Sequence, residues 1–274
     1  MKIALYNRDR QAGVEAVKRR LREKGATLVC YGEDFTSWED LPADTELFLP
    51  LGGDGTFLQA LTFVRDRGIP VAGINFGHLG FLTTARADEE GWVDALLAGR
   101  YSVEERSLIR VTCAAFPEAF YPFALNEVSL QRRGASMLQI CVRIDGRDLP
   151  TYWADGLVIS TPTGSTAYNL SVGGPVVMPS SEVMVIAPIA PHNLNVRPLV
   201  VPEGTKLDIS FRSRDGKATM TMDNTSVEIE PDWAVHIEMA QFSLKRVKLP
   251  KSEFVAALTS RLFWGEDRRN NGLA

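Results

Sequence analysis

The hydrophobic period of this chain changes once, near Tyr101, and that change limits the folds open to it more than any other feature. Before it, short apolar runs at Lys2 to Tyr6, Thr27 to Tyr31, Leu47 to Leu51 and Pro70 to Ile74 read as buried strands. Between them the period is helical. Val14, Val17 and Leu21 form an apolar stripe that Gly25 can cap, Phe57 to Arg67 runs helically to Gly68, and Asp88 to Arg100 carries Trp92, Leu96 and Leu97. Strand, glycine turn, helix and strand in that order make a crossover unit, so a Rossmann-like α/β layer on a parallel sheet is expected.

After Tyr101 the runs shorten and alternate: Leu108 to Cys113, Phe123 to Gln131, Leu138 to Ile144, Lys206 to Phe211 and Ala218 to Met222. A β-rich second domain follows from that texture, with Asp145-Gly146 and Asp215-Gly216 as hairpin turns. Beyond Pro250 the helical period returns at Phe254, Ala257, Leu258 and Leu262. That segment is too short for a domain and too apolar for water, so it is expected to pack back on one of the two. The tail GEDRRNNGLA is expected to fray.

Composition narrows the partners. With 30 Lys and Arg against 34 Asp and Glu, the net charge of -4 leaves no global positive field for nucleic acid or an anionic membrane. A polyanionic ligand must therefore be held by specific local groups. Cys30, Cys113 and Cys141 are widely spaced, which fits neither a disulfide framework nor a zinc knuckle and suits a reducing cytoplasm. The apolar run from Val183 to Ala190 is interrupted by Pro188, and neither a signal peptide nor a membrane span is expected.

Chemistry concentrates in three places. The first is Gly52-Gly53-Asp54-Gly55-Thr56, set between a buried strand and a helix. Glycines there let a bulky ligand approach the backbone, and the N–H groups and dipole of the helix start favour phosphate. A lone Asp-Gly would more simply cap the helix; the full pentad points to a ligand loop. Neither GxxxxGK[ST] nor GxGxxG after the first strand is present, which removes most of the case for a Walker ATPase or an ordinary dehydrogenase. The second place is Asp155 to Gly174, where Thr161, Thr163, Ser165 and Thr166 offer uncharged hydrogen bonds and Tyr168 a flat face for a base. A Ser/Thr-rich turn with Tyr168 in the core is the plainer account of it. The third is Asn126-Glu127 in an apolar strand pattern, where only one of the pair faces a given side unless a bulge intervenes.

Together with GINFGHLGFLT at 73–83 and PIAPHNLNVRPLV at 188–200, these segments stand in the order and spacing that resemble NAD kinases. The GGDGT string alone is shared with diacylglycerol and sphingosine kinases and, as a variant, with phosphofructokinases; the STPTGSTAY block beside Asn126-Glu127 separates the NAD kinases from them. The resemblance implies transfer of the γ-phosphate of ATP to the 2′-hydroxyl of the adenosine ribose of NAD. It implies a homodimer or homotetramer, an α/β domain over 1–102 plus 250–274, and a β-sandwich-like domain over 103–249 that binds NAD. By the same resemblance Asp54 contacts the acceptor ribose and takes its proton, while Gly52, Gly53, Gly55 and Thr56 admit phosphates. Asn126, Glu127, Asp155, Thr166, Ala167, Tyr168, Asn169, Leu170 and Ser171 would form the dinucleotide pocket, with Ala190 from the proline-flanked loop.

An aspartate carboxylate is a weak base for a sugar hydroxyl, so Asp54 is expected mainly to orient it and accept the proton late. With no lysine in the glycine loop, a divalent cation, Mg²⁺, is expected to screen the triphosphate, although His78, His192 and His236 show no ligand spacing and no protein metal site is assigned. Arg132, Arg133 and Arg197 are candidate phosphate contacts, the first two more simply solvated surface charge. Trp153 stands two residues before Asp155, where NAD kinases often carry a basic or small residue, and Asp223-Asn224-Thr225 replaces a more usual Asp-Gly-Gln. A lipid kinase with the same loop, or a catalytically silent NAD-binding sensor, are the competing readings.

Overall fold

The computed structural model describes residues 1–7, 13–118, 120–231, 233–249 and 254–265. The chain divides into two compact units, Met1–Glu104 with Lys245–Ala274, and Glu105–Leu244.

In the first unit the strands Thr27–Cys30, Lys2–Tyr6 and Leu47–Pro50 pair in that spatial order, all parallel. Parallel bridges from Phe48 to Val71 and from Val71 to Arg246 carry the layer on. Ile3, Leu5, Leu47 and Leu49 are buried on one face of this layer and Ala4, Tyr6 and Phe48 on the other, as a parallel sheet covered by helices requires. The Val14–Glu23 helix contributes Val14, Val17 and Leu21 to the core, the three residues of the apolar stripe. Three expectations shift. The run from Pro70 to Ile74 forms only single bridges and the short strand Ile74–Asn75, because Pro70 lacks an N–H and its carbonyl is already taken by the Phe48 amide. The second helix spans Asp54–Val64, three residues earlier than the apolar pattern suggested, since its first turn is polar and glycine-rich. The helix after it is shorter than expected, Trp92–Leu97.

The second unit is antiparallel. One sheet orders Leu199–Pro202, Val183–Ile189, Gly156–Ser160, Glu127–Arg132, Ala218–Met222 and Thr225–Ile229; the other orders Arg147–Asp148, Leu138–Ile144, Leu207–Arg212, Val235–Met239, Ile109–Thr112 and Phe123–Ala124, with Tyr152–Ala154 beside Leu138–Ile144. Inward residues of both sheets, among them Val128, Leu130, Leu157, Ile159, Val142, Ile209 and Phe211, close one apolar core, so the unit is a sandwich. Gly156–Ser160 is buried along its whole length: Leu157 and Ile159 face that core, while Val158 turns to the opposite face and packs with Val185 and Ala187 against Tyr168, Val172 and Val177. Strand alternation thus seats the hydroxyl-rich segment on the outer face of the sheet.

Asp145-Gly146 makes the expected hairpin, both residues at positive φ, with Ile144 opposite Arg147. Asp215-Gly216 does not. It joins Leu207–Arg212 of one sheet to Ala218–Met222 of the other, and the hairpin falls one strand later at Asp223-Asn224, where Met222 pairs Thr225. A tight turn dictates a reversal but not which strand receives the chain. The last helix, Phe254–Leu262, belongs to the first unit, with the Phe254 ring 6.1 Å from Phe81. Of the tail expected to fray, 266–274 lie outside the described residues.

Candidate active site

The glycine loop begins where the parallel sheet ends. Leu51 still bridges Ile74, and the Gly52 amide donates to the Ile74 carbonyl at 2.8 Å. Gly53 is the N-cap of the Asp54–Val64 helix, and its carbonyl accepts from the amides of Thr56 and Phe57. The Thr56 side chain lies over Gly52, where any Cβ would collide with it. On the outer side, a Cβ on the exposed Gly55 would meet nothing within 4 Å, so the bend is open to an approaching group.

Asp54 stands in the first turn of that helix, and its carboxylate is held from across the loop. Phe81 donates its backbone N–H to Oδ2 at 2.6 Å, while Leu82 and Thr83 donate theirs to Oδ1, each at 3.2 Å. The turn that presents those amides is itself wired. Asn75 accepts from the Gly77 amide at 2.8 Å and donates to the His78 carbonyl at 2.6 Å, and the Gly80 amide donates to Thr83 Oγ1 at 2.9 Å. Gly80 has to be glycine, because a Cβ there would occupy the position of the Asp54 carboxylate. On the far side of the same peptides sits Arg246, only 3% exposed. Its Nε donates to the Leu82 carbonyl at 2.8 Å, a second nitrogen reaches the Thr83 carbonyl at 3.4 Å, and the third pairs with Glu104 at 2.9 Å. The Leu82–Thr83 peptide unit thus connects a buried guanidinium to the Asp54 carboxylate, polarised from both ends.

The second cluster lies in the sandwich. The strand pattern from Phe123 to Gln131 breaks at Leu125-Asn126, and Asp223 grips the break: its carboxylate accepts the amides of Leu125 at 2.7 Å, Asn126 at 2.8 Å and Glu127 at 3.3 Å. Beside it lies Glu127, whose carboxyl is pushed up to about 7 by burial and by the Asp223 charge, against the pull of the Tyr168 backbone N–H. Asp223 is itself raised to about 6 by burial, which outweighs its three amide hydrogen bonds. The Tyr168 phenol is also raised, by burial and by the charges of Glu127 and Asp155. The Glu127 Oε2 atom is buried with no hydrogen-bond partner among the described residues. An acid poised near neutrality with one unsatisfied oxygen is suited to a ligand N–H or O–H.

Asp155 is anchored by Arg132, whose Nε approaches Oδ1 at 2.7 Å, so Arg132 is not the plain solvated charge expected of it. Arg133 pairs with Glu228, and Arg197 turns back to the carbonyls of Leu194 and Val196. The Asp155 amide donates to the Ile189 carbonyl, which sets exposed Ala190, at φ +45°, beside Asp155. Thr163–Thr166 forms a single 3₁₀ turn and Tyr168–Ser171 one helical turn; Thr166, Ala167, Tyr168 and Leu170 are half-buried and Ser171 is exposed. Asn169 is fully buried instead, and its amide donates to the carbonyls of Ser165 and Pro175. Its Oδ1 is buried without a hydrogen-bond partner among the described residues. Trp153 is exposed, its amide bound to Asn193 Oδ1 at 2.8 Å.

Sequence reasoning missed Asp223 as the clamp on Asn126-Glu127, Arg246 as the anchor of the 80–83 turn, and the three amides that hold Asp54. Of these only Asp223 left a trace, as the acidic member of an unusual turn.

Comparison with known proteins bears on both clusters. Residues 32–101 match the family model of the ATP-NAD kinase N-terminal domain, and residues 125–249 that of the ATP-NAD kinase C-terminal domain. The chain is 40% identical over 242 residues to an NAD kinase of Flavobacterium psychrophilum, covering 87% of this chain and 82% of the relative. It is 42% identical over 238 residues to one of Cytophaga hutchinsonii, covering 86% and 81%. Among solved structures, the NAD kinase of Archaeoglobus fulgidus in complex with ATP is similar with a TM-score of 0.75 at 28% identity, over 92% of this chain and 95% of that one. The fold of yeast NADH kinase, solved with NADH, superposes with a TM-score of 0.85 at 20% identity, over 97% of this chain and 89% of that one. With a glycine loop that presents a carboxylate, a sandwich that carries a poised acid, and relatives at this identity over most of its length, the chain belongs to the ATP-NAD kinase family.

Proposed function

We propose that this chain transfers the γ-phosphoryl group of ATP to the 2′-hydroxyl of the adenosine ribose of NAD. The observation that carries the reading is the Asp54 carboxylate, fixed by three amides at the open end of a glycine bend. Three hydrogen bonds leave the carboxylate acceptor capacity for one more proton, that of the sugar hydroxyl. In the step, the ribose oxygen forms a bond to the γ-phosphorus while the bond from that phosphorus to the β,γ-bridging oxygen breaks. ADP leaves with the electron pair, and the hydroxyl proton passes to Asp54. The transition state is loose, so holding the hydroxyl in line accounts for most of what Asp54 contributes.

The dinucleotide is assigned to the sandwich, with Asn126, Glu127, Asp155, Tyr168 and Ala190 as its contacts. Support comes from the unsatisfied Glu127 oxygen and from the half-buried face of Tyr168. Among the described residues one group of His, Cys, Asp or Glu side chains has converging ligand atoms. The one group of potential ligands that converges, Cys30, Glu33 and Asp34, has its Glu33 carboxylate paired with Lys18 at 3.0 Å and its thiol pushed up by burial. The divalent cation is proposed to enter as part of the substrate, bound to a triphosphate for which the glycine loop offers no lysine. A cytoplasmic homodimer or homotetramer completes the proposal; among the described residues no helix is long and apolar enough to cross a membrane.

The test is NADP formation from NAD, ATP and Mg²⁺, run in parallel with NADH, and with light scattering for the subunit number. Asp54→Asn is expected to keep the fold and most of the NAD affinity while losing about 10²- to 10⁴-fold in kcat. Wild-type turnover in that variant would remove Asp54 from the chemistry, and undiminished activity in excess EDTA would remove the metal-bound donor.

A further inference from the structure

The glycine loop holds no lysine, and the amides that bind Asp54 are already spent on it, so the first unit has to find positive charge for a triphosphate elsewhere. The last helix has one. Phe254, Ala257 and Arg261 stand at i, i+3 and i+7 and share one helix face. Ala257 is buried, the Phe254 ring lies 6.1 Å from that of Phe81, and the Arg261 guanidinium lies 5.3 Å over the same Phe81 ring. Phe81 is the residue whose amide donates to Asp54 Oδ2. The helix therefore sets a cation on the shelf that carries the candidate catalytic carboxylate.

Stacking occupies the flat face of a guanidinium and leaves its five N–H donors pointing outward in the plane. In Arg246, by contrast, the donors go to two carbonyls and a carboxylate. Arg261 has no carboxylate within ion-pair distance and no side-chain hydrogen bond among the described residues, although it is half-buried. Burial lowers its pKa, and the nearby Asp54 charge only partly offsets this. A desolvated guanidinium with a free fork is a receptor for an oxyanion, and phosphate oxygens match its geometry best.

We infer that Arg261 binds the triphosphate of the phosphoryl donor at the mouth of the glycine loop, as a cation delivered by the C-terminal helix. The inference deepens the kinase reading above and rests on it. It assigns Arg261 to the donor and not to the dinucleotide, so the two substrates are expected to respond differently to its loss.

The experiment compares full-length wild type with Arg261→Met, which keeps a flexible apolar body over Phe81, and with Arg261→Lys. In Arg261→Met the KM for ATP is expected to rise, or kcat/KM for ATP to fall, by roughly 10- to 100-fold, the size of a lost charge-assisted hydrogen bond, with the KM for NAD unchanged within about twofold. Arg261→Lys is expected to restore part of the loss, and millimolar guanidinium chloride to restore part of the activity of Arg261→Ala, a rescue that a purely packing role would not give. A second arm measures calorimetric binding of inorganic tripolyphosphate without any dinucleotide; weaker binding to Arg261→Met than to wild type supports the inference even if no NADP is formed. Equal tripolyphosphate affinity and an unchanged KM for ATP, with only the melting temperature lowered, would overturn it and reduce Arg261 to a helix-docking contact. Failure of the wild type to convert NAD is read separately, as failure of the kinase assignment.

Discussion

At the scale of single residues, the acids of the sandwich make the sharpest statement about pH. Glu127 and Asp223 have folded-state pKa values of about 7 and about 6, above their ordinary 4.5 and 3.8. Between about pH 4 and 7 the folded state therefore holds more protons than the unfolded one. Their contribution to stability is complete below pH 4 and is lost as pH rises through 6 to 7. Glu127→Gln, which keeps the shape and abolishes the charge, is expected to flatten that slope and to gain on the order of 1 to 2 kcal/mol at pH 8, read from denaturant unfolding at pH 5 and pH 8. The same variant should weaken NAD binding if Oε2 accepts a ligand proton. Asp223→Ala should do more harm than Glu127→Gln at every pH, because it orphans three backbone amides at a strand break. Glu127 was visible in the sequence as half of a polar pair. Asp223 was visible only as the acid of an unusual turn; its clamp was not, since the amides it holds lie 96 to 98 positions away and such a partnership leaves no local pattern.

At the scale of elements, the turn at 80–83 decides whether the glycine loop is a site or only a bend. Its N–H groups face Asp54 and its carbonyls face Arg246, so it transmits any displacement from one to the other. Arg246→Met removes the guanidinium from two buried carbonyls and from Glu104; a loss of about 1 to 3 kcal/mol is expected, the scale for a buried group left unsatisfied, measured by chemical denaturation. Gly80→Ala is the milder probe. It should fold, displace the Asp54 carboxylate from its three amides, and lower kcat by far more than the accompanying modest fall in melting temperature explains. Most elements could be read from periodicity, because Val14, Val17 and Leu21 or the alternating Leu138 to Ile144 announce their own geometry. Sheet membership could not. The Asp215-Gly216 turn has the chemistry of a hairpin, yet the flanking strands belong to different sheets, a choice made by pairings with Ile140 on one side and Leu130 on the other. Arg246 escaped notice for the same reason, its carbonyl partners being 163 and 164 residues earlier.

At the scale of the molecule, each unit has its own apolar core, one centred on residues such as Leu47, Leu49 and Trp92, the other on Leu157, Ile159 and Phe211. They differ in how the chain builds them. The sandwich is one uninterrupted stretch, Glu105–Leu244, and that stretch expressed alone is expected to give a cooperative unfolding transition and a β-type far-UV spectrum. The α/β unit is discontinuous. Val71 receives its backbone partners from Lys245 and Val247, and Thr84 Oγ1 donates to the Val247 carbonyl at 2.9 Å. A chain stopped at Leu244 should therefore lose protection across Leu47–Pro50 and Val71, detectable by hydrogen exchange and by rapid proteolysis within Met1–Glu104. The re-entrant strand also orders events on the ribosome. Glycine bend and carboxylate are among the earliest segments synthesised, but their anchor at residue 246 emerges after the whole sandwich has been made, so a nascent chain carries the Asp54 shelf unfinished throughout most of its translation.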